Sequence, residues 1–134
     1  MNESTSIYSN ASHLFGMDIT FYDNKHGIIE ASFQATDIFT NTIGNIQGGI
    51  LTAMLDDLMG YALGITMPVD TFAPTANLNV SLIRPVAVGE LHGRGQILKR
   101  DGDVYHLAAK LFNKEGLIVA SSTAKAKRGS IIVA

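Results

Sequence analysis

The feature that most constrains the fold is a single helical pattern in the middle of the chain. Apolar residues recur at steps of three and four from residue 48 to about residue 65, on more than one stripe of the predicted helix. These residues are Ile50, Leu51, Met54, Leu55, Leu58, Met59, Ala62 and Leu63. The segment contains no Lys or Arg. Such a helix has to be largely buried, so other elements must surround it.

The segments on both sides of this helix have the patterns of β-strands. The predicted strands span residues 17–22, 27–33, 76–82, 90–100, 104–113 and 117–128. Turn-forming residues 23–26 separate the first two strands, and Asp101-Gly102 predicts a tight hairpin between the fourth and the fifth. Helical spacing within the first fifteen residues also predicts a short N-terminal helix.

One sheet of five or six mostly antiparallel strands curled around the central helix satisfies this order of elements. The length of 134 residues suits one compact domain, residues 1–134. Such a sheet keeps open edges, which proteins commonly protect by pairing with a second copy. We therefore expect an α+β fold and a homo-oligomer.

Composition excludes several classes of protein. The chain has no cysteine, which rules out disulfides, thiolate metal sites and a Cys nucleophile. The N-terminal residues lack the basic start and apolar run of a secretory signal, and no stretch approaches the roughly 18 apolar residues of a membrane span. Most Lys and Arg residues lie between residues 84 and 134, but without the dense runs of a nucleic-acid surface. We expect a cytoplasmic protein with neither a membrane nor a nucleic acid as partner.

Two features of the central helix could carry chemistry: Gln47-Gly48-Gly49 at its start, and Asp56-Asp57 about two turns later. Glycines before a helix often only turn the chain, and paired acids are usually a solvated face. In an otherwise apolar helix, however, at least one carboxylate should face a cavity. Burial and a neighbouring like charge there disfavour its ionised form, which is the environment that tunes a carboxylate to act as a general base.

The helix start offers the complementary chemistry, because its free backbone N–H groups can polarise a carbonyl and glycine lets an oxygen approach them closely. Gly48 and Asp56 are eight residues apart, which is about 12 Å along a helix axis. They are too far apart to act on one carbonyl carbon. A second helix from a two-fold partner would solve this, so we expect the site at a dimer interface.

Residues 41–49, Asn-Thr-Ile-Gly-Asn-Ile-Gln-Gly-Gly, continue to Asp56 in an order that resembles one known family. This family is the hotdog-fold acyl-CoA thioesterases of the phenylacetate-pathway and thioesterase-superfamily-member-2 type. The resemblance spans about residues 35–128 and includes Arg84-Pro85, Gly89-Glu90 and the segment 100–102. It implies a hotdog fold, in which a curved, mostly antiparallel sheet wraps one long central helix.

The resemblance also implies roles for individual residues. Asp56 matches the catalytic carboxylate, which acts as general base on water or, in some members, as nucleophile. Gly48 matches the glycine whose N–H binds the thioester oxygen, and Asn41 matches an asparagine that positions the thioester opposite the partner's Asp. Thr75 falls where certain members have a Ser that orients the attacking water.

Gln47 departs from the family pattern, which usually has His at this position. Gln can hydrogen-bond but cannot titrate. The substrate-binding candidates are Gln47, Gly49 and the basic residues that could meet the phosphates of coenzyme A. Arg84 and Arg128 are the foremost of these, with Lys99, Arg100, Lys125 and Lys127.

The resemblance predicts hydrolysis of an acyl-CoA thioester to free acid and CoA by a dimer or a dimer of dimers. Coenzyme A is then part of the substrate, and we expect neither a separate cofactor nor a metal. The alternative is a non-catalytic acyl-CoA or acyl-carrier binding protein, with Gln47 as the sign of lost chemistry. Hotdog dehydratases and hydratases rely on a catalytic His that the central helix and the preceding connection lack. The width of the acyl pocket should depend on Tyr61, Met54, Met59 and Phe72.

Overall fold

The structure, a computed structural model, describes residues 7–68 and 71–129. In chain order, its helices and strands are α1 (Asn10–Leu14), β1 (Asp18–Asp23), β2 (Ile28–Ala35), α2 (Gly48–Gly64), β3 (Thr75–Leu82), β4 (Gly89–Asp101), β5 (Val104–Phe112) and β6 (Ile118–Lys127). The connection between β2 and α2 contains a short 3-10 helix, Asp37–Phe39, and a bridge between Thr40 and Ile46. The predicted helices and strands are confirmed to within about two residues.

The six strands form one curved sheet in the order β1-β2-β4-β5-β6-β3, and every neighbouring pair is antiparallel. Helix α2 packs mainly against β4, β5, β2 and β6. The fold expected from the sequence is thereby confirmed. Of the described helices, none is long and apolar enough to cross a membrane.

The core lies between α2 and the concave face of the sheet. Met54, Leu55, Leu58 and Met59 of α2 are completely buried. They pack against side chains that the strands contribute at alternate positions, among them Ile29, Phe33, Leu107, Leu111 and Val119. This burial of one helix by one sheet explains why α2 can be apolar on most sides.

Gly95 explains how closely α2 approaches the sheet. A Cβ atom at Gly95 would overlap the carbonyl carbon and oxygen of Leu58. Because glycine has no Cβ, the middle of α2 can rest directly on the backbone of β4.

One detail of the turns differs from the sequence prediction, and one edge strand is less buried than the others. The two turn residues of the β4–β5 hairpin are Gly102 and Asp103, because Asp101 still pairs with Val104 and Gly102 takes the positive φ of 61°. Strand β3 is not buried along its apolar side: Leu78 and Val80 are half-buried, and Leu82 is 55% exposed. Its position at the sheet edge, beyond most of α2, is the reason.

Candidate active site

Asp56 meets the start of β3 through a direct hydrogen bond. The Thr75 hydroxyl donates to Asp56 Oδ1 at 3.1 Å. Asp56 is half-buried in the third turn of α2, and Thr75 is exposed as the first residue of β3. Since Leu82, at the other end of β3, lies against Gly48, the strand runs antiparallel to the first half of α2.

A cleft of about 650 Å³ opens beside this pair. Its walls come from the second half of α2, from Ser9 before α1 and from the segment that leads into β3. The lining residues are Ser9, Asp56, Asp57, Gly60, Tyr61, Leu63, Gly64, Met67, Thr71, Phe72, Ala73, Pro74 and Thr75. Its volume lies in the range of small-molecule sites. We call it the Asp56 cleft.

Asp57 does not lie on a solvated helix face, which was one reading of the acidic pair. It is half-buried, and the hydroxyl of the fully buried Ser12 donates to its Oδ2 at 2.9 Å. Because that bond uses the single hydrogen of Ser12, the hydroxyls of Ser9 (2.8 Å) and Tyr61 (3.0 Å) donate to Ser12 Oγ. Tyr61 in turn accepts the Ser9 N–H at 2.8 Å. This network holds α1 against α2.

The electrostatics of Asp57 follow from its position. Burial raises the pKa of Asp57 above its ordinary value of 3.8, the hydrogen bond from Ser12 opposes this, and the negative charge of Asp56 adds to the increase. The destabilised carboxylate expected in this helix is therefore Asp57, which anchors α1.

The start of α2 lies in a second cleft, of about 320 Å³. Asn41, Gly48 and Arg84 line it, together with apolar residues that include Ile43, Leu51, Leu82 and Val86. Asp56 and Thr75 are absent from its lining. We call it the Gly48 cleft. Within one chain, the two halves of the predicted chemistry thus lie in separate clefts, in agreement with the distance of about 12 Å expected along the helix.

Backbone donors are available at the start of α2. The first acceptor of the helix, the Gln47 carbonyl, takes the N–H groups of Ile50 (2.9 Å) and Leu51 (3.3 Å). The N–H groups of Gly48 and Gly49 precede these and have no acceptor within the helix. Gly48 is half-buried and Gly49 exposed, and only Gly48 lines the cleft. The Gln47 side chain is exposed and does not cap the helix.

Asn41 shapes the loop before α2. Its Oδ1 accepts the backbone N–H groups of Ile43 and Asn45, both at 3.1 Å. These bonds identify the oxygen of the amide and leave its NH₂ group as a donor. Within the described residues, that NH₂ group has no acceptor. The side chain is therefore pre-positioned as a donor at the Gly48 cleft.

The two arginines lie in different places. Arg84 lines the Gly48 cleft, and its guanidinium donates to the Ile118 carbonyl. Arg128 lines neither cleft. It follows β6, where its neighbours Lys127 and Gly129 donate backbone hydrogen bonds to Pro74 and Phe72. The structure brings Arg84, but not Arg128, together with Gly48 and Asn41.

The four residues expected to set the width of the acyl pocket do not all line a cleft. Tyr61 and Phe72 line the Asp56 cleft, whereas Met54 and Met59 do not. The assignment of both methionines to the pocket was wrong, because they point into the core with no exposed surface. Sequence analysis did not single out Ser12 and Ser9. The only local signal is that Ser9 is the N-cap of α1 and accepts the Ser12 N–H.

Comparisons with known proteins agree with this architecture. A family model described as thioesterase superfamily matches residues 43–120. A phenylacetic acid degradation-related protein from Ralstonia eutropha JMP134 is 33% identical and superposes with a TM-score of 0.86 over 91% of this chain and 92% of that one. No curated protein gives a significant match.

Two further solved structures share the fold at lower identity. The Escherichia coli PaaI protein, from the phenylacetic acid degradation operon, is 20% identical, with a TM-score of 0.83 over 91% of this chain and 86% of that one. A Bacillus halodurans protein solved with CoA is 18% identical, with a TM-score of 0.84 over 97% and 85% of the two chains. The match of the family model and the 33% identical structure together establish that the chain belongs to the thioesterase superfamily, with the hotdog fold.

Proposed function

We propose that this protein is an acyl-CoA thioesterase in which Asp56 of one copy and Gly48 of a second copy act on the same thioester. The hydrogen bond between Thr75 and Asp56 in the wall of a cleft of about 650 Å³ is the observation that carries the proposal. It places a carboxylate and a hydroxyl side by side where a small molecule can enter. Membership of the thioesterase superfamily supports thioester hydrolysis as the reaction class.

The edge of β3 supplies the geometry for pairing two copies. One side of β3 pairs with β6, and its other side is an edge of the sheet. If two copies pair antiparallel along these edges about a two-fold axis, the Thr75 end of one strand lies opposite the Leu82 end of the other. Asp56 accompanies Thr75, and Gly48 lies against Leu82. This pairing brings Asp56 of each copy towards Gly48 and Asn41 of its partner.

The hydrogen-bond directions suggest how water is held. Thr75 gives its only hydrogen to Asp56 Oδ1, so its oxygen can only accept from a water molecule. A water that donates to Asp56 Oδ2 and to Thr75 Oγ1 has its lone pair free for attack. In this arrangement Asp56 is the general base and Thr75 the orienting group.

The reaction then proceeds by addition and elimination. Water attacks the carbonyl carbon while Asp56 takes its proton, and the Gly48 N–H and Asn41 NH₂ of the partner stabilise the negative charge on the carbonyl oxygen. The C–S bond breaks, and the proton on Asp56 passes to the sulfur. The products are the free acid and CoA. Coenzyme A is part of the substrate, with Arg84 at the Gly48 cleft as the residue for its phosphates.

The test is thiol release from a panel of short, long and aromatic acyl-CoAs by the parent and by Asp56→Asn. Asparagine keeps the shape and the bond from Thr75 but cannot take a proton, so we expect kcat to fall at least about 100-fold with the melting temperature preserved. Unchanged turnover by the folded variant would refute the role of Asp56. Binding of acyl-CoA by the parent without any turnover would favour a binding protein, and Gln47→His would then be the next variant.

A further inference from the structure

The Asp56 cleft follows one face of α2 away from the carboxylate. Asp56, Gly60 and Gly64 are spaced by four residues, so they lie above one another on the same helix face. All three line the cleft, and Phe72 and Pro74 line it from the segment before β3. The cleft is therefore a trough with Asp56 at one end and a glycine at each of the next two turns.

Neither packing nor backbone conformation explains these glycines. Among the described residues, and apart from the neighbouring turns of α2 itself, no atom lies within 4 Å of a Cβ built at Gly60 or Gly64, and neither residue has a positive φ. At Gly95, in contrast, a Cβ would overlap Leu58. A glycine inside a helix costs about 0.5–1 kcal/mol relative to alanine. The helix carries that cost at Gly60, on the face that lines the trough, whereas Gly64 is its last residue.

The negative charges of the trough disfavour the negatively charged parts of the substrate. Two carboxylates, Asp56 and Asp57, line it, and among the described lining residues there is no Lys or Arg. The remaining wall is largely apolar, with Leu63, Met67, Phe72, Ala73 and Pro74. The phosphates of CoA, or a carboxylate on the acyl group, would meet like charge there. Arg84 lies in the other cleft.

We propose that the trough is the subsite for an uncharged acyl group and that Gly60 and Gly64 determine how long this group can be. This inference rests on the proposed thioesterase function. The acyl chain lies along the glycine face of α2 in the copy that supplies Asp56. The CoA moiety lies on the side of the partner's Arg84, in the partner's Gly48 cleft. The bare helix backbone at Gly60 forms the floor over which the chain passes.

The helix geometry gives the length scale. Gly60 lies about 6 Å and Gly64 about 12 Å from Asp56 along the axis. An extended six-carbon acyl group has five carbon–carbon bonds of about 1.5 Å each, and it reaches roughly as far as Gly60. A leucine at position 60 therefore collides with a hexanoyl chain but leaves room for an acetyl group.

The test compares Gly60→Leu and Gly60→Ala with the parent on acetyl-, hexanoyl- and adipoyl-CoA. The measured quantity is the ratio of kcat/KM for hexanoyl-CoA to that for acetyl-CoA. We expect Gly60→Leu to lower this ratio at least about tenfold, since several methylene groups lose their burial. Gly60→Ala should lower it less than about threefold. Lys110→Leu, on an exposed residue of β5 outside the cleft, is the matched control and should leave the ratio unchanged.

Adipoyl-CoA has the length of hexanoyl-CoA with a terminal carboxylate, and it tests the charge of the trough. The parent should use it at least about tenfold less efficiently than hexanoyl-CoA. Equal use of the two substrates, or an unchanged ratio in Gly60→Leu, would overturn the proposal. If Gly60→Leu does not fold, Gly64→Leu with octanoyl-CoA in place of hexanoyl-CoA gives the same comparison.

Binding separates this proposal from the thioesterase function. The thioether analogue of hexanoyl-CoA, which cannot be hydrolysed, is titrated into parent, Gly60→Leu and Lys110→Leu by calorimetry. A Kd at least about tenfold higher in Gly60→Leu alone supports the trough as the acyl subsite, even if no variant hydrolyses a thioester. An equal Kd in all three proteins, or no binding by the parent, overturns the subsite. A loss of hydrolysis throughout the panel refutes only the proposed function.

Discussion

The Thr75 hydroxyl donates a hydrogen bond to Asp56 Oδ1 at 3.1 Å, which links the first residue of β3 to the third turn of α2. The bond occupies one carboxylate oxygen, and in the proposed mechanism the other oxygen binds the attacking water. It also fixes the direction of the Thr75 hydrogen, so that Thr75 can only accept from that water.

Replacement of Thr75 by valine keeps the branched shape but removes the hydroxyl. We expect kcat to fall about tenfold or more, because both Asp56 and the attacking water lose a partner, with a smaller change in KM. Thr75→Ser keeps the hydroxyl and should stay within about threefold of the parent. Steady-state kinetics with the best acyl-CoA substrate measure kcat and KM for both variants. Parent-like kcat in Thr75→Val would exclude the orienting role.

Replacement of Gly48 by alanine tests the backbone donor at the start of α2. The added Cβ lies 2.5 Å from Leu82 Cδ1, at the far end of a side chain that is 55% exposed and can rotate away. We expect the free energy of unfolding to change by less than about 1 kcal/mol. We expect kcat to fall about 10- to 100-fold, because the methyl group hinders the approach of the thioester oxygen to the N–H.

The double variant Gly48→Ala/Leu82→Ala separates two causes of such a loss. It removes the side chain that the new methyl group displaces, so the contact with Leu82 no longer exists. Activity should remain low, as the hindrance at the N–H persists. Recovery of the parent's kcat would instead assign the loss to the displaced leucine.

Asp57 should make the stability of the fold depend on pH in an unusual direction. Burial raises the pKa of Asp57 in the folded state above 3.8, so between 3.8 and that raised pKa the folded chain binds more protons than the unfolded one. The stability contributed by this group is fully present below pH 3.8 and is lost as pH rises through the folded pKa. Asp56, Tyr61 and Ser12 are the polar groups that face it.

The variant Asp57→Asn isolates this effect, because asparagine keeps an acceptor for Ser12 and carries no charge. Its melting temperature should exceed that of the parent at pH 7, and the difference should shrink towards pH 3.8. Thermal melts of both proteins across this range provide the measurement. A variant that is less stable than the parent at pH 7 would mean that the Ser12–carboxylate bond outweighs the burial of the charge.

Local patterns were sufficient to predict most of the fold. The apolar repeat from residue 48 corresponds to α2, Gly48–Gly64, because a buried helix leaves its period in the sequence. The β4–β5 turn was misplaced by one residue, since Asp101-Gly102 and Gly102-Asp103 are both plausible turn pairs and only the strand register decides. The exposure of Leu82 could not be predicted, because the alternation of apolar and polar residues does not show whether a strand lies at the edge of the sheet.

The site could be predicted only in part. Asp56, Gly48 and Asn41 are candidates from the motif before and within α2, and the separation of Gly48 from Asp56 follows from helix geometry. The anchoring of Asp57 by Ser12 joins residues 45 positions apart, so no local pattern could have indicated it. Met54 and Met59 were misassigned to the pocket because helical periodicity does not distinguish a core face from a cleft face.

The central claim, that each site combines Asp56 of one copy with Asn41 and Gly48 of another, is tested most directly by mixing two inactive variants. Asp56→Asn and Asn41→Ala are unfolded together, refolded as a mixture and assayed for acyl-CoA hydrolysis. In a mixed dimer, one of the two sites contains both intact residues. Random pairing therefore predicts recovery of about a quarter of the parent's activity. Activity no higher than that of the two variants refolded separately would contradict a shared site.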